Sequence, residues 1–203
     1  MELGPLQSLS QGSEHALISP HLALSYGFAR NWEMVWEGEL VHPRSEEERK
    51  TSLVEHGVFF KHVIREGSLQ NQPGPSVATE IGLLLPGINA DRGTGTSVAG
   101  IVSYRWPVVE VHFNLLAAIT REHDRALFAD LILEGSREWR LRPAAEVISA
   151  NEIHLSRTRS ILVGAIWRAS DVLEFDAGVR EARMEDQRVR ELRAGVTYSW
   201  LAH

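Results

Sequence analysis

The chain has no cysteine, which excludes disulfides, thiolate metal centres, iron–sulfur clusters and thiol catalysis. Lysine is almost as scarce: Lys50 and Lys61 stand against 19 arginines. No apolar run reaches the roughly 18 residues that a membrane-spanning helix needs. The N-terminal segment MELGPLQSLSQGSEHAL has neither the basic start nor the apolar core of a secretion signal. Positive charge is not in excess either, and a net charge of −6 argues against a nucleic-acid surface. What is present is ordinary in bulk: 203 residues, 43% hydrophobic and 24% charged, with a mean hydropathy of −0.17.

The pattern is not ordinary, because its dominant period is two. In VVEVHFNLLAAIT, Val109, Val111, Phe113, Leu115, Ala117 and Ile119 alternate with Glu110, His112, Asn114 and Leu116. Alternation of this kind marks a strand with one apolar and one polar side. It recurs over 16–28, 32–41, 52–65, 76–85, 97–106, 108–120, 126–135, 142–151, 159–168, 172–181 and 189–200. Most of these spans are longer than the five or six residues common in soluble sheets, and they suit a tilted strand crossing hydrocarbon. The connections FARN, RWPV, SREWR and RASD are tight, and longer polar segments come between them: 41–51, 87–96, 121–126, 151–157 and 181–188. One segment, 65–75, is long where a tight turn is due. The expected fold is all-β, an antiparallel up-and-down transmembrane β-barrel of about 11–12 strands. Short turns close one side and long loops the other.

The aromatics sort by side as well. Phe28, Trp32, Trp106, Trp139, Trp167 and Trp200 fall at the tight-turn ends, the placement a membrane–water interface selects. Eleven strands leave the two termini on opposite sides, whereas bacterial single-chain barrels have even strand numbers. The expectation is therefore a single barrel domain over 1–203, with 1–14 disordered or the remnant of a truncated first strand, the signal lost with it.

The apolar faces carry almost no charge, and the polar faces carry both signs. An interior of arginine–carboxylate pairs with lipid outside accounts for both, since the guanidinium fork suits confined carboxylates. The residues expected to line and tune the lumen are Glu33, Glu37, Arg105, Glu110, Asp130, Arg142, Arg168, Glu174 and Arg180. The barrel resembles the putative outer-membrane transporters of the MetA-pathway of phenol degradation family. The resemblance rests on HLALSYGFARNWEMVWEGEL, on HGVFFKHVIREG with SVATEIGLLLPGINADRGTGTS, and on the closing ELRAGVTYSW. It implies a place in a Gram-negative outer membrane and passage of small solutes, hydrophobic or aromatic ones among them. The partners implied are the bilayer and the barrel-assembly machinery.

Other chemistry is weakly signalled. DRGTGTSVAG lacks the Lys-Ser/Thr ending of a phosphate-binding loop. The nine histidines show no metal-ligand spacing, so neither a metal nor another cofactor is expected. His154 and Ser156, two apart, share a strand face and resemble the pair in outer-membrane phospholipase, which makes a lipid hydrolase one alternative. A soluble ligand-binding barrel with the faces reversed is the other. Fractionation of cells separates them from the main reading: the transmembrane barrel sediments with membranes and shows a heat-dependent shift on a denaturing gel. Cytosolic protein without that shift refutes it.

Overall fold

β-Branched and aromatic residues in strict alternation leave the backbone few competitors to the extended form. The computed structural model describes residues 2–11, 14–43, 51–89, 92–153, 156–185 and 187–199. It contains strands β1 (Glu2–Gln11), β2 (Glu14–Ala29), β3 (Trp32–Pro43), β4 (Ser52–Arg65), β5 (Ser76–Leu84) and β6 (Gly95–Arg105). They are followed by β7 (Val109–Ile119), β8 (Arg125–Gly135), β9 (Leu141–Glu152), β10 (Ser156–Arg168), β11 (Leu173–Met184) and β12 (Gln187–Tyr198). Among the described residues the one other element is a 3₁₀ turn, Ser68–Gln70.

Each strand pairs antiparallel with its chain neighbours, and β1 pairs with β12, so the sheet is a closed barrel. The barrel has twelve strands, within the expected 11–12, one more than the eleven spans marked by alternation. Glu2–Gln11 forms the twelfth, set between β2 and β12 by pairs such as Ser8 with Leu17 and Ser8 with Leu192. Glu2 of β1 pairs with Ala23 of β2 and Thr197 of β12, so β1 begins and β12 ends toward the side of the tight turns. In one of these turns, Arg30–Asn31, Asn31 takes a positive φ of 77°. Asparagine tolerates this left-handed conformation better than other residues with a β-carbon.

The connections on the opposite side are shorter than the polarity of the chain suggests. β9 runs to Glu152 and β10 starts at Ser156, while β11 runs to Met184 and β12 starts at Gln187. Segments 151–157 and 181–188 thus fall largely within strands, and the wider separations between strands on that side are from Pro43 to Ser52 and from Leu84 to Gly95. Charged residues there continue the alternation instead of ending it. On the other side, 66–75 keeps the length that broke the alternation, and it carries the 3₁₀ turn.

Through the middle of the wall the outer face is aliphatic and the inner face carries the buried charges. Ile81, Val98, Phe113, Leu131, Val147, Val163, Val179 and Leu192 point outward and are 39–61% exposed. Glu110, Asp130, Arg142, Ser160 and Glu191 point inward and are buried. This excludes the soluble alternative, in which the aliphatic residues would have lined a pocket. Barrel closure yields a test in a chain free of cysteine. Ser8→Cys with Leu192→Cys is expected to form a disulfide on mild oxidation, because opposed positions on paired strands meet the geometric requirement. Ser8→Cys with Leu127→Cys, on strands far apart in the sheet, gives none. Equal cross-linking of the two pairs contradicts the β1–β12 pairing.

Candidate functional site in the barrel lumen

With the aliphatic residues outside, the inward positions of every second residue make a continuous ionic wall. Its firmest part is at the end near the tight turns. Glu110 of β7 is wholly enclosed. Arg105 of β6, opposite it in the register, donates from Nε to Oε1 at 2.6 Å. Arg137, from the β8–β9 turn, reaches back to the same oxygen at 3.1 Å. Oε2 of Glu110 has no hydrogen-bond partner, and His112 Nε2 stands 3.9 Å away. His112 Nδ1 lies 2.9 Å from Ser103 Oγ. A carboxylate so enclosed is tolerable only with cations in contact, since burial of an unpaired charge costs several kcal/mol.

A second cluster spans β8, β9 and β11. Arg142 donates to both oxygens of Glu174 at 3.0 Å, the two-pronged geometry its planar fork favours. Its Nε lies 3.4 Å from Glu134. A third cluster is centred on Glu191 of β12, which is 2% exposed. Arg193 donates to one oxygen at 2.6 Å, Arg180 to the other at 3.0 Å, and Arg180 Nε also donates to Ser160 at 3.0 Å. Across the lumen wall of β3–β5, Lys61 sits 3.9 Å from both Glu33 and Glu80. At mid-height Asn114 donates to Asp130 at 2.7 Å.

Apolar side chains also face inward. Phe59 lies over Gly57 and Gly82; a β-carbon at Gly82 would strike the ring at 2.5 Å, so glycine makes its seat there. A cavity of about 380 Å³ is lined by residues of both kinds, among them Ile132, Glu146, Leu162, Asp176 and Arg193.

Three comparisons bear on this geometry. No family model matches the chain, and no curated protein does. Solved structures do match. The fold is that of an outer-membrane porin. The KdgM porin is 12% identical, with a TM-score of 0.65 over 99% of this chain and 100% of that one. The NanC porin is 10% identical, with a TM-score of 0.68 over 98% and 100%. An outer membrane channel from Pseudomonas putida F1 is 10% identical, with a TM-score of 0.64 over 98% and 92%. At such identities the likeness is one of fold, and the porin architecture is what it establishes.

Set in the porin fold, Glu33, Arg105, Glu110, Asp130, Arg142, Glu174 and Arg180 stand on the inner face. Glu37 shares the face of Glu33 on β3. Arg168 differs: its guanidinium donates to the carbonyl of Glu138 at 3.3 Å and so braces the β8–β9 turn at the barrel rim. Trp32, Trp106, Trp139 and Trp167 are 42–47% exposed at the tight-turn end. Trp32 stacks on His62 at 4.3 Å and Trp167 on Phe175 at 5.6 Å. Trp200 and His154 lie outside the described residues, as does the side chain of Ser156. Glu191 and Arg193 belong to the polar face of β12, but nothing in their spacing marks Glu191 as a hub. Arg137 is invisible to alternation because it comes from a turn.

The Glu191 cluster makes an energetic prediction. Glu191→Ala leaves Arg180 and Arg193 without their shared anion and is expected to destabilise the barrel by about 3 kcal/mol, at the low end for broken buried pairs because Arg193 is partly solvated. Glu181→Ala, which removes exposed pairs with Arg188 and Arg190, costs at most about 1 kcal/mol. The urea midpoints of the two variants, read by heat-modifiability, measure the difference.

Proposed function

We propose that the chain is a passive channel of the Gram-negative outer membrane whose lumen favours small uncharged and cationic solutes. The carrying observation is the state of the lumen arginines. Arg105 is held by Glu110, Arg142 by Glu134 and Glu174, and Arg180 and Arg193 by Glu191. Guanidinium groups so engaged offer little to an anion in transit. Glu80, Glu146 and Asp176 add further carboxylates to the same wall. The wall is therefore acidic in balance, and a charged lining of one sign raises the local concentration of the opposite ion.

The contrast with one structural neighbour is instructive. KdgM is described in complex with disordered oligogalacturonate, a polyanion, and a wall of already paired arginines suits such a substrate poorly. The lumen residues expected from the alternation act here as a fixed lining, and Trp32, Trp106, Trp139 and Trp167 as the interfacial belt. The bilayer and the barrel-assembly machinery are the partners of such a protein. It is not an enzyme on this reading and needs no cofactor.

A second reading, passage of hydrophobic or aromatic solutes, draws on the inward-facing Phe59, Leu116, Phe128, Ile148 and Leu162. Planar-bilayer recording tests the first. Under a potassium chloride gradient the reversal potential is expected on the cation side. Glu80→Lys with Glu146→Lys moves it toward the anion side by at least 10 mV, about a 1.5-fold change in relative permeability by the Nernst relation. An anion-selective wild type refutes the proposal. Liposome swelling that is faster with phenol than with a neutral sugar of similar size favours the second reading.

A further inference from the structure

The outer wall of the last four strands carries a feature that transport does not use. Ser149, Arg159, Arg183 and Arg188 face one another across β9–β12 as successive register partners. They point outward, as Arg157 does one step further toward the rim. Like charges directly opposed on neighbouring strands repel. The carboxylates at hand are few. Glu181 binds Arg188 at 2.8 Å and lies 3.8 Å from Arg190, and Glu185 is at the tip of the β11–β12 turn. Arg159 and Arg183 have no ion pair among the described residues.

Beneath this row is a groove of about 980 Å³ bounded by Val147, Ile161, Val163 and Val179, with Glu181 on one flank and Arg159, Arg183 and Arg188 at its edge. The next row down is small: Ala165 and Ala177 pair with each other, and Ala177 with Ala194. Chain-like apolar matter can lie there without displacing bulky groups. The height fits too. Arg159 precedes Trp167 by eight residues, about 27 Å along a strand, or ~21 Å along the axis at a tilt of about 40°. The Trp belt marks one interface, so the arginine row lies at headgroup level of the opposite leaflet.

We infer that this wall is a binding site for a phosphate-bearing lipid, its phosphates bridging Arg159 and Arg183, with Arg188 beside them in its pair with Glu181, and its acyl chains lying in the groove below. Guanidinium groups bind phosphate oxygens two at a time, and a dianion placed between them removes the repulsion that the row otherwise carries. The inference goes beyond the channel reading and shares with it the placement of the barrel in a membrane.

Native mass spectrometry of the folded full chain in detergent tests it, with bisphosphorylated lipid A, its dephosphorylated counterpart and inorganic phosphate as probes. The wild type is expected to retain the bisphosphorylated lipid at least tenfold more tightly than the dephosphorylated one. The triple change Arg159→Gln, Arg183→Gln and Arg188→Gln abolishes that preference and leaves the reversal potential unaltered. Val163→Trp, which fills the groove with every arginine in place, lowers retention about tenfold and serves if the triple variant does not fold. Equal retention by the variants overturns the inference. So does inorganic phosphate that competes as well as the lipid, which marks a soluble anion site. A barrel that retains the lipid but conducts nothing refutes the channel reading alone, and one that conducts but shows no lipid preference refutes this inference alone.

Discussion

Closure of the sheet is the constraint on which the rest depends. In hydrocarbon, every backbone N–H and C=O left unpaired costs several kcal/mol, and an open sheet has two edges of such groups. The β1–β12 pairing removes both edges at once. It also fixes which side of each strand faces lipid, because the alternation along one strand is locked to that of its neighbours all round the ring. The ionic interior follows from closure. Charged residues on one face are affordable only when that face is turned to a common enclosed space where opposite charges meet.

Within that space, the pairs differ in what they hold together. The Arg142–Glu174 fork links β9 to β11 past the intervening β10. Glu110 ties β6 to the β8–β9 turn through Arg105 and Arg137. Such links between strands that share no backbone hydrogen bonds resist distortion of the barrel's cross-section. They also keep side chains of the lining in one arrangement, which separates this lumen from a simple water-filled tube.

The eleven strands from β2 onward are legible in the chain because each turns a mainly apolar face outward and a mainly polar face to the lumen, so period two persists for nine residues or more. β1 escapes for a local reason. Its register against β12 slips between Leu3 and Leu6, across Gly4 and Pro5, so no alternation runs through the segment. The β11–β12 hairpin was disguised differently: ARMEDQRVRELR is rich in helix formers, and its charges lie on the outer face as well as the inner, so polarity ceases to tell the faces apart. For the lumen, alternation identifies which side chains point inward but not which of them meet. Partnership depends on register between strands, and that is why Arg180 and Glu191 could be placed on a common face yet not paired. Arg168 shows the limit at strand ends, where a correct face still leaves a long side chain free to turn to a neighbouring carbonyl.

The unbroken register of strands β5 to β12 also bears on how such a fold changes over time. At each position the wall asks mainly a two-way question, lipid or lumen, and many residues answer it equally well. What it does not tolerate is a shift by one, which would turn Glu110 or Glu191 into the bilayer and all their face with them. Substitution is therefore cheap and insertion within a strand costly. A barrel under this rule drifts in spelling while keeping its metre, and two of them can hold the same shape long after their sequences have ceased to resemble each other.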